Sequence, residues 1–107
     1  MGVRFLSKAQ RKTPLCGVTL QAMNFVYLLE SINTKKWYIG FTPDDPGRRL
    51  DKHNLGLVQS TKAFLPWRLI YFEAYVDRKD ATGREKFLKS GAGRKFLEKQ
   101  LKNYFNK

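Results

Sequence analysis

Two short runs of β-branched and aromatic residues, 25–30 (FVYLLE) and 36–41 (KWYIGF), stand five residues apart, with Asn33 and Thr34 between them. No other feature constrains this chain as much. Two strands this close, joined by a segment of turn composition, form an antiparallel hairpin. A register that pairs Tyr27 with Tyr38, with the turn centred on Ile32 and Asn33, puts both phenols on one face of the sheet. Neighbouring tyrosines taken alone suit a core, because the ring buries while the hydroxyl stays wet.

Downstream, Asp44-Asp45-Pro46 has the acidic cap and early proline of a helix start. That helix is expected to run to about Asn54, with Gly56 as its stop. Residues 57–67 read as a loop or short helix closing at Pro66. Residues 68–75 (RLIYFEAY) read as a third strand. Asp77 or Asp80 caps a second helix running to about Lys89, and Ser90-Gly91-Ala92-Gly93 breaks it. Residues 94–105 form a last helix, with Leu97, Leu101, Tyr104 and Phe105 on one stripe. The order β-β-α-β-α-α predicts an α+β fold, a small three-stranded antiparallel sheet flanked by helices.

At 107 residues the chain is sized for one domain. No apolar run approaches the roughly 18 residues of a membrane span, so no membrane association is expected. The single cysteine, Cys16, leaves no internal disulfide, and no Cys/His cluster suggests structural zinc. Such a domain fits a reducing compartment, the cytoplasm. The charge is extreme: 21 Lys+Arg against 9 Asp+Glu, a net of +12. An excess of this size anticipates a polyanion, most often nucleic acid, although a solvated basic surface or a ribosomal or membrane-surface protein has the same balance. Residues 1–24 carry Arg4, Lys8, Arg11 and Lys12 and no acid. They read as a basic, flexible arm, or as sequence upstream of a start at Met23, with residues 25–107 as the single domain.

Three placements are informative together. Tyr27 and Tyr38 share a sheet face. Arg49 and His53 are i and i+4, so they share a helix face. Two cations there repel unless an anion sits beside them, although either a solvated face or a neutral His53 also removes the conflict. Glu85 falls on the stripe of Ala81 and Leu88, where a carboxylate must be paired, protonated or bound to metal. Taken alone, it is better read as salt-bridged to Arg84, Lys89 or a nearby arginine.

The residues Phe25-Val26-Tyr27 and Tyr38-Ile39-Gly40, ten residues apart, are followed by Arg49-Leu50-x-x-His53-Asn54-x-Gly56 and Arg84-Glu85-Lys86. In this order and spacing they resemble the GIY-YIG nuclease domain. The likeness extends from residue 25 to about 102. It is nearest to the small stand-alone bacterial type, similar to the nuclease domain of the bacterial excinuclease. The stretches Ser60-Thr61-Lys62, Pro66-Trp67 and Tyr71-Phe72-Glu73 look like the same branch. The sequence departs from the family where Phe25 replaces its first glycine. The loop between Tyr38 and Arg49 is one residue longer, which brings Arg48 beside the family position. Arg49 keeps the spacing to Leu50 and His53.

The resemblance implies an endonuclease that hydrolyses DNA phosphodiesters with one Mg²⁺ or Mn²⁺, in DNA repair or recombination. Tyr27, Tyr38, Arg49, His53 and Glu85 are then its catalytic residues and Glu85 its metal ligand. Hard cations near phosphate keep most of their waters, so a single carboxylate suffices. Arg49 offers a fork of donors to phosphate oxygens. Tyr27 is a candidate base for the attacking water if a nearby cation lowers its pKa, and Tyr38 would orient that water. His53 would relay a proton or donate to phosphate. Thr61, Lys62, Arg84, Lys86, Lys89, Arg94 and Lys95 are candidate DNA contacts, of the kind that position a backbone without reading sequence. Trp37, Trp67 and Tyr104 fit core packing, or stacking on unpaired bases. The expected substrate is DNA, branched, nicked or single-stranded, met by a monomer with or without a protein partner that supplies substrate choice. The alternative is a non-catalytic nucleic-acid-binding module that keeps the fold.

Overall fold

The computed structural model describes residues 23–106. The expected arm therefore lies outside the described residues, except that Asn24 already belongs to the first strand. The elements are β1 (Asn24–Ser31), β2 (Trp37–Thr42), α1 (Pro46–Asn54), a 3₁₀ turn (Lys62–Phe64), β3 (Trp67–Tyr75), α2 (Arg78–Lys89), α3 (Gly91–Gln100) and a short α4 (Lys102–Phe105). The sheet is antiparallel, in the order β2–β1–β3. The α+β class and the three-stranded sheet expected from the sequence are both present.

β1 is central and paired on both sides, which is why its residues from Phe25 to Ser31 are all buried. Its alternation divides the core in two. Val26 and Leu28 face α2 and α3, packing with Tyr71, Ala81, Leu88 and Leu97. Tyr27 and Leu29 face the other way and pack with Trp67, Tyr38, Leu50 and Phe64, under α1 and the 3₁₀ turn. A bulge in β3 sustains this division. Leu28 pairs with Tyr71 but Leu29 pairs with Leu69, so Ile70 is an extra residue. The side chains on either side of a bulge change phase. Tyr71, Glu73 and Tyr75 thereby turn toward α2, while Trp67 and Leu69 turn toward α1.

The hairpin register differs from the expected one. Tyr27 pairs with Gly40, and Tyr38 pairs with Leu29. The connection is longer than a two-residue turn because Lys35 adopts a left-handed conformation (φ 64°). Ser31 N–H bonds Lys36 O, and the Ser31 hydroxyl accepts Thr34 N–H, so the loop is pinned at its base. The shift is an even number of residues. Both tyrosines therefore stay on the same face, as the shorter register also required.

The helix boundaries also sharpen. Asp45 caps α1, accepting Gly47 N–H at 2.7 Å, with Pro46 opening the helix, and Gly56 (φ 75°) follows its end. Asp77 caps α2. The tetrad Ser90-Gly91-Ala92-Gly93 is not a gap before the last helix. It is the cap and first turn of that helix, since the Ser90 hydroxyl accepts Gly93 N–H at 3.1 Å while donating to Phe87 O at 2.6 Å. The same residue closes one helix and opens the next. Gly93 is required because a Cβ there would collide with the Phe87 carbonyl and the Leu88 backbone. The expected helix over 94–105 is thus α3, starting earlier, and the separate α4. Among the described residues, no helix is long and apolar enough to cross a membrane.

Candidate active site

The Tyr27 phenol lies across β2 at the one position where a side chain is missing. A Cβ on Gly40 would sit 2.5 Å from the Tyr27 hydroxyl and 2.9 Å from the Tyr38 ring. The glycine is the gap that lets both rings lie on this face, with their centroids 6.3 Å apart. α1 supplies the next two residues. Its i, i+4 face turns Arg49 and His53 down onto the phenol. Tyr27 Oη is 2.9 Å from His53 Nε2 and accepts a hydrogen bond from Arg49 Nε at 3.3 Å. The His53 ring stands edge-on to both tyrosines, 5.8 Å from Tyr27 and 5.1 Å from Tyr38. Arg48 points the other way, to Asp44 at 3.5 Å, so Arg49 is the arginine that reaches the tyrosine cluster.

The electrostatics follow from burial and neighbours. Burial pushes the Tyr27 phenol above its ordinary value of 10. Arg49 pulls it back, and Tyr38 and the Glu85 carboxylate push it up again. Glu85, from α2, thus lies within electrostatic reach of the phenol. His53 is wholly buried, and burial with the adjacent Arg49 charge drops it to about 4. At neutral pH the cluster holds a neutral imidazole and a protonated phenol beside an arginine. The repulsion anticipated between Arg49 and His53 is relieved because His53 carries no charge.

Glu85 is one-fifth exposed and its carboxylate is paired with Lys89 at 3.0 Å. Among the described residues, no group of three or more His, Cys, Asp and Glu side chains converges as a metal cage. The donor set suits a hard cation that keeps most of its waters, for which a single carboxylate oxygen donor is sufficient. His53 does not fit as a ligand, because its Nε2 is taken by Tyr27 and its Nδ1 by Thr61, 2.7 Å away.

The candidate DNA contacts divide. Lys62, Lys86, Lys89, Arg94 and Lys95 are exposed. Arg94 also covers the Trp37 ring at 4.1 Å. Arg84 is not a free surface cation. Its Nε and Nη2 bond both oxygens of Glu73, at 2.8 and 3.0 Å, and its guanidinium lies over Phe87 and Phe96. Thr61 is fully buried and faces His53 rather than solvent. Of the aromatics weighed for base stacking, Trp67 is buried, Trp37 stacks on Phe105, and the Tyr104 hydroxyl bonds Glu30.

Two supporting roles are not assigned by the sequence. Asn54, the last residue of α1, clamps the start of β3 by accepting Trp67 N–H at 2.7 Å and donating to Trp67 O at 2.9 Å. This ties the helix that carries Arg49 and His53 to the sheet. Glu73 is buried to zero exposure and collects Arg84 and the hydroxyls of Tyr71 and Tyr75. Burial would raise its carboxyl, but the bonds from Arg84 and the tyrosines outweigh that and hold it below 4.5. Its sequence signals are an acid at an inward position of a strand and its place in the Tyr71-Phe72-Glu73 stretch.

Comparison with curated proteins finds no match to the chain. Comparison with protein families matches residues 23–107 to the GIY-YIG catalytic domain, a span that takes in both tyrosine tripeptides, α1 and α2. With the sheet, the paired tyrosines, the Arg49–His53 face and Glu85 arranged as described, the chain belongs to the GIY-YIG family of nucleases.

Proposed function

We propose that this protein is a divalent-metal-dependent DNA endonuclease that hydrolyses phosphodiester bonds with little sequence preference and acts in DNA repair or recombination. The observation that carries this reading is the convergence on one atom. The Tyr27 hydroxyl oxygen is met by Arg49 and His53 and lies within the field of Glu85.

Hydrolysis needs an activated water, charge stabilisation at the phosphoryl oxygens and help for the leaving alkoxide. The Tyr27 phenol keeps its proton at neutral pH, so it serves as a relay rather than as a standing phenolate. It takes the proton of the attacking water on its oxygen while its own proton passes to His53 Nε2, 2.9 Å away. Tyr38, on the same face, orients that water. Arg49 cannot lose its charge, and it binds the phosphoryl oxygens as negative charge builds on them. Glu85 would hold a divalent ion, which when bound would supply Lewis acidity to the phosphate and the leaving group. His53 returns to its neutral state by handing its Nε2 proton back to the Tyr27 oxygen as the Tyr27 proton passes to the leaving oxygen.

Binding energy comes from the exposed Lys62, Lys86, Lys89, Arg94 and Lys95, which meet phosphates and carry no base readout. Arg84 and Thr61 are left out of that track because both are committed inside the fold. The packed state of Trp37, Trp67 and Tyr104 also argues against base stacking by these rings.

A nicking assay tests the reading. Supercoiled plasmid and a labelled flapped duplex are incubated with the protein in Mg²⁺, in Mn²⁺ and in EDTA, beside Glu85→Ala. Metal-dependent cuts by the wild type, lost in Glu85→Ala, are expected. Cutting by Glu85→Ala at the wild-type rate would remove Glu85 from the site. Salt-sensitive DNA retention without cuts would move the reading to a binding module.

A further inference from the structure

Thr61 is more than a packed residue under the 3₁₀ turn. Its hydroxyl oxygen is 2.7 Å from His53 Nδ1 and donates to the Val58 carbonyl at 3.3 Å. Its backbone is fixed at both ends as well. Thr61 N–H bonds Val58 O at 3.2 Å, and the Thr61 carbonyl accepts the Trp67 indole N–H at 2.9 Å. These bonds hold the buried residue in place with its hydroxyl against His53.

The chain of bonds has a direction because its two ends are unambiguous. At one end the Arg49 guanidinium only donates, and at the other the Val58 carbonyl only accepts. Thr61 gives its hydroxyl hydrogen to Val58, so its oxygen receives the Nδ1–H of His53. A neutral imidazole has a single N–H, which leaves a lone pair on Nε2. The group facing that lone pair is the Tyr27 hydroxyl, whose oxygen already accepts from Arg49. The order of donation is Arg49, Tyr27, His53, Thr61, Val58. With the opposite tautomer the Tyr27 oxygen would receive two N–H groups, and its own hydrogen would have no acceptor in the cluster.

We propose that Thr61 is a positioning residue that selects the Nδ1–H tautomer of His53 and so aims the Nε2 lone pair at the Tyr27 hydroxyl. Its consequence for turnover rests on the nuclease reading above, but the tautomer itself does not. The hydrogen-bond partner on the far nitrogen of a histidine fixes which nitrogen is free to take a proton. Without Thr61 the imidazole protonates on Nε2 instead, and the outlet for the Tyr27 proton closes.

The test pairs a spectroscopic and a kinetic measurement on the full chain. In ¹⁵N-labelled protein at pH 7, the His53 ring of the wild type is expected to show the Nδ1–H pattern. Thr61→Val, which keeps the shape and the backbone bonds, is expected to show the Nε2–H form. Thr61→Ser, which keeps the hydroxyl, is expected to retain the wild-type pattern. In the nicking assay Thr61→Val should lose about 10- to 100-fold in kcat with little change in KM, the scale found for outer-shell partners of metal-ligating histidines. Thr61→Ser should stay within about threefold of the wild type, a small fraction of the 10- to 100-fold cost of losing such a partner. A wild-type His53 in the Nε2–H form overturns the proposal, as does a Thr61→Val protein that keeps both the Nδ1–H form and the wild-type rate. A tautomer that switches as expected in a protein that never cuts DNA upholds the Thr61 assignment and overturns the nuclease reading instead.

Discussion

At the scale of single residues, His53 has a consequence for pH. It is the only histidine in the chain, it is wholly buried, and it is held at about 4. In the unfolded chain it titrates near 6.5. The folded state therefore disfavours its proton, and the stability tied to neutral His53 is fully present above pH 6.5. It is lost progressively as the pH falls from 6.5 toward 4. The difference corresponds to roughly 3 kcal/mol at 1.36 kcal/mol per unit. The urea midpoint is expected to fall between pH 7 and pH 4.5, and the fall should shrink in His53→Gln. NMR of the imidazole should show no titration down to pH 5. A ring that titrates near 6.5 would mean the cluster is open to water. Tyr27, Tyr38, Arg49 and His53 are legible in the sequence because their spacing on a strand or helix places each on a known face. Thr61 and Arg84 read as DNA contacts there because both types are common at such surfaces. Their actual partners, His53 and Glu73, come from other elements.

At the scale of elements, α2 matters because it carries both Glu85 and the seat that holds it. Arg84, one residue before Glu85, docks on buried Glu73 with two hydrogen bonds and lies over Phe87 and Phe96. Replacing one member of a buried ion pair leaves the other charge uncompensated, at a cost of about 3–5 kcal/mol. Glu73→Gln is expected to destabilise the protein by that order in urea denaturation. A loss under about 1 kcal/mol, the range of an exposed pair, would show that Arg84 finds another partner or solvent. The strand and helix types are legible from periodicity and caps. The β3 bulge and the hairpin register are not, since both depend on how strands pair. The start of α3 is hidden because glycines usually end helices. Here Gly93 is needed for the close approach of α3 to the end of α2.

For the whole molecule, the net charge of +12 makes electrostatics the first term in any encounter with DNA. If Lys62, Lys86, Lys89, Arg94 and Lys95 each neutralise a phosphate, log Kd should rise with log salt with a slope of about 4 to 5, at roughly 0.9 per contact. Lys86→Gln and Lys95→Gln should each lower the slope by about 0.9. They should weaken binding to unrelated sequences equally, since phosphate contacts carry no sequence information. A slope near zero, measured by fluorescence anisotropy between about 50 and 200 mM salt, would dissociate these cations from the DNA surface.

The sequence by itself determined the element types, the sheet's alternation and which residues share a face within each strand or helix. Those properties depend on periodicity, caps and spacing along one chain, which are local. The tertiary structure alone decided which hydrogen bonds close the cluster. It pairs Tyr27 with Gly40, places Thr61 against His53, and brings Arg84 inward to Glu73. Each of these contacts joins residues from separate elements. Their geometry follows from the register, the bulge and the path of the loop between α1 and β3. Those in turn are selected by burial across the whole fold, because every polar group taken out of water must find its partner wherever the packing puts it.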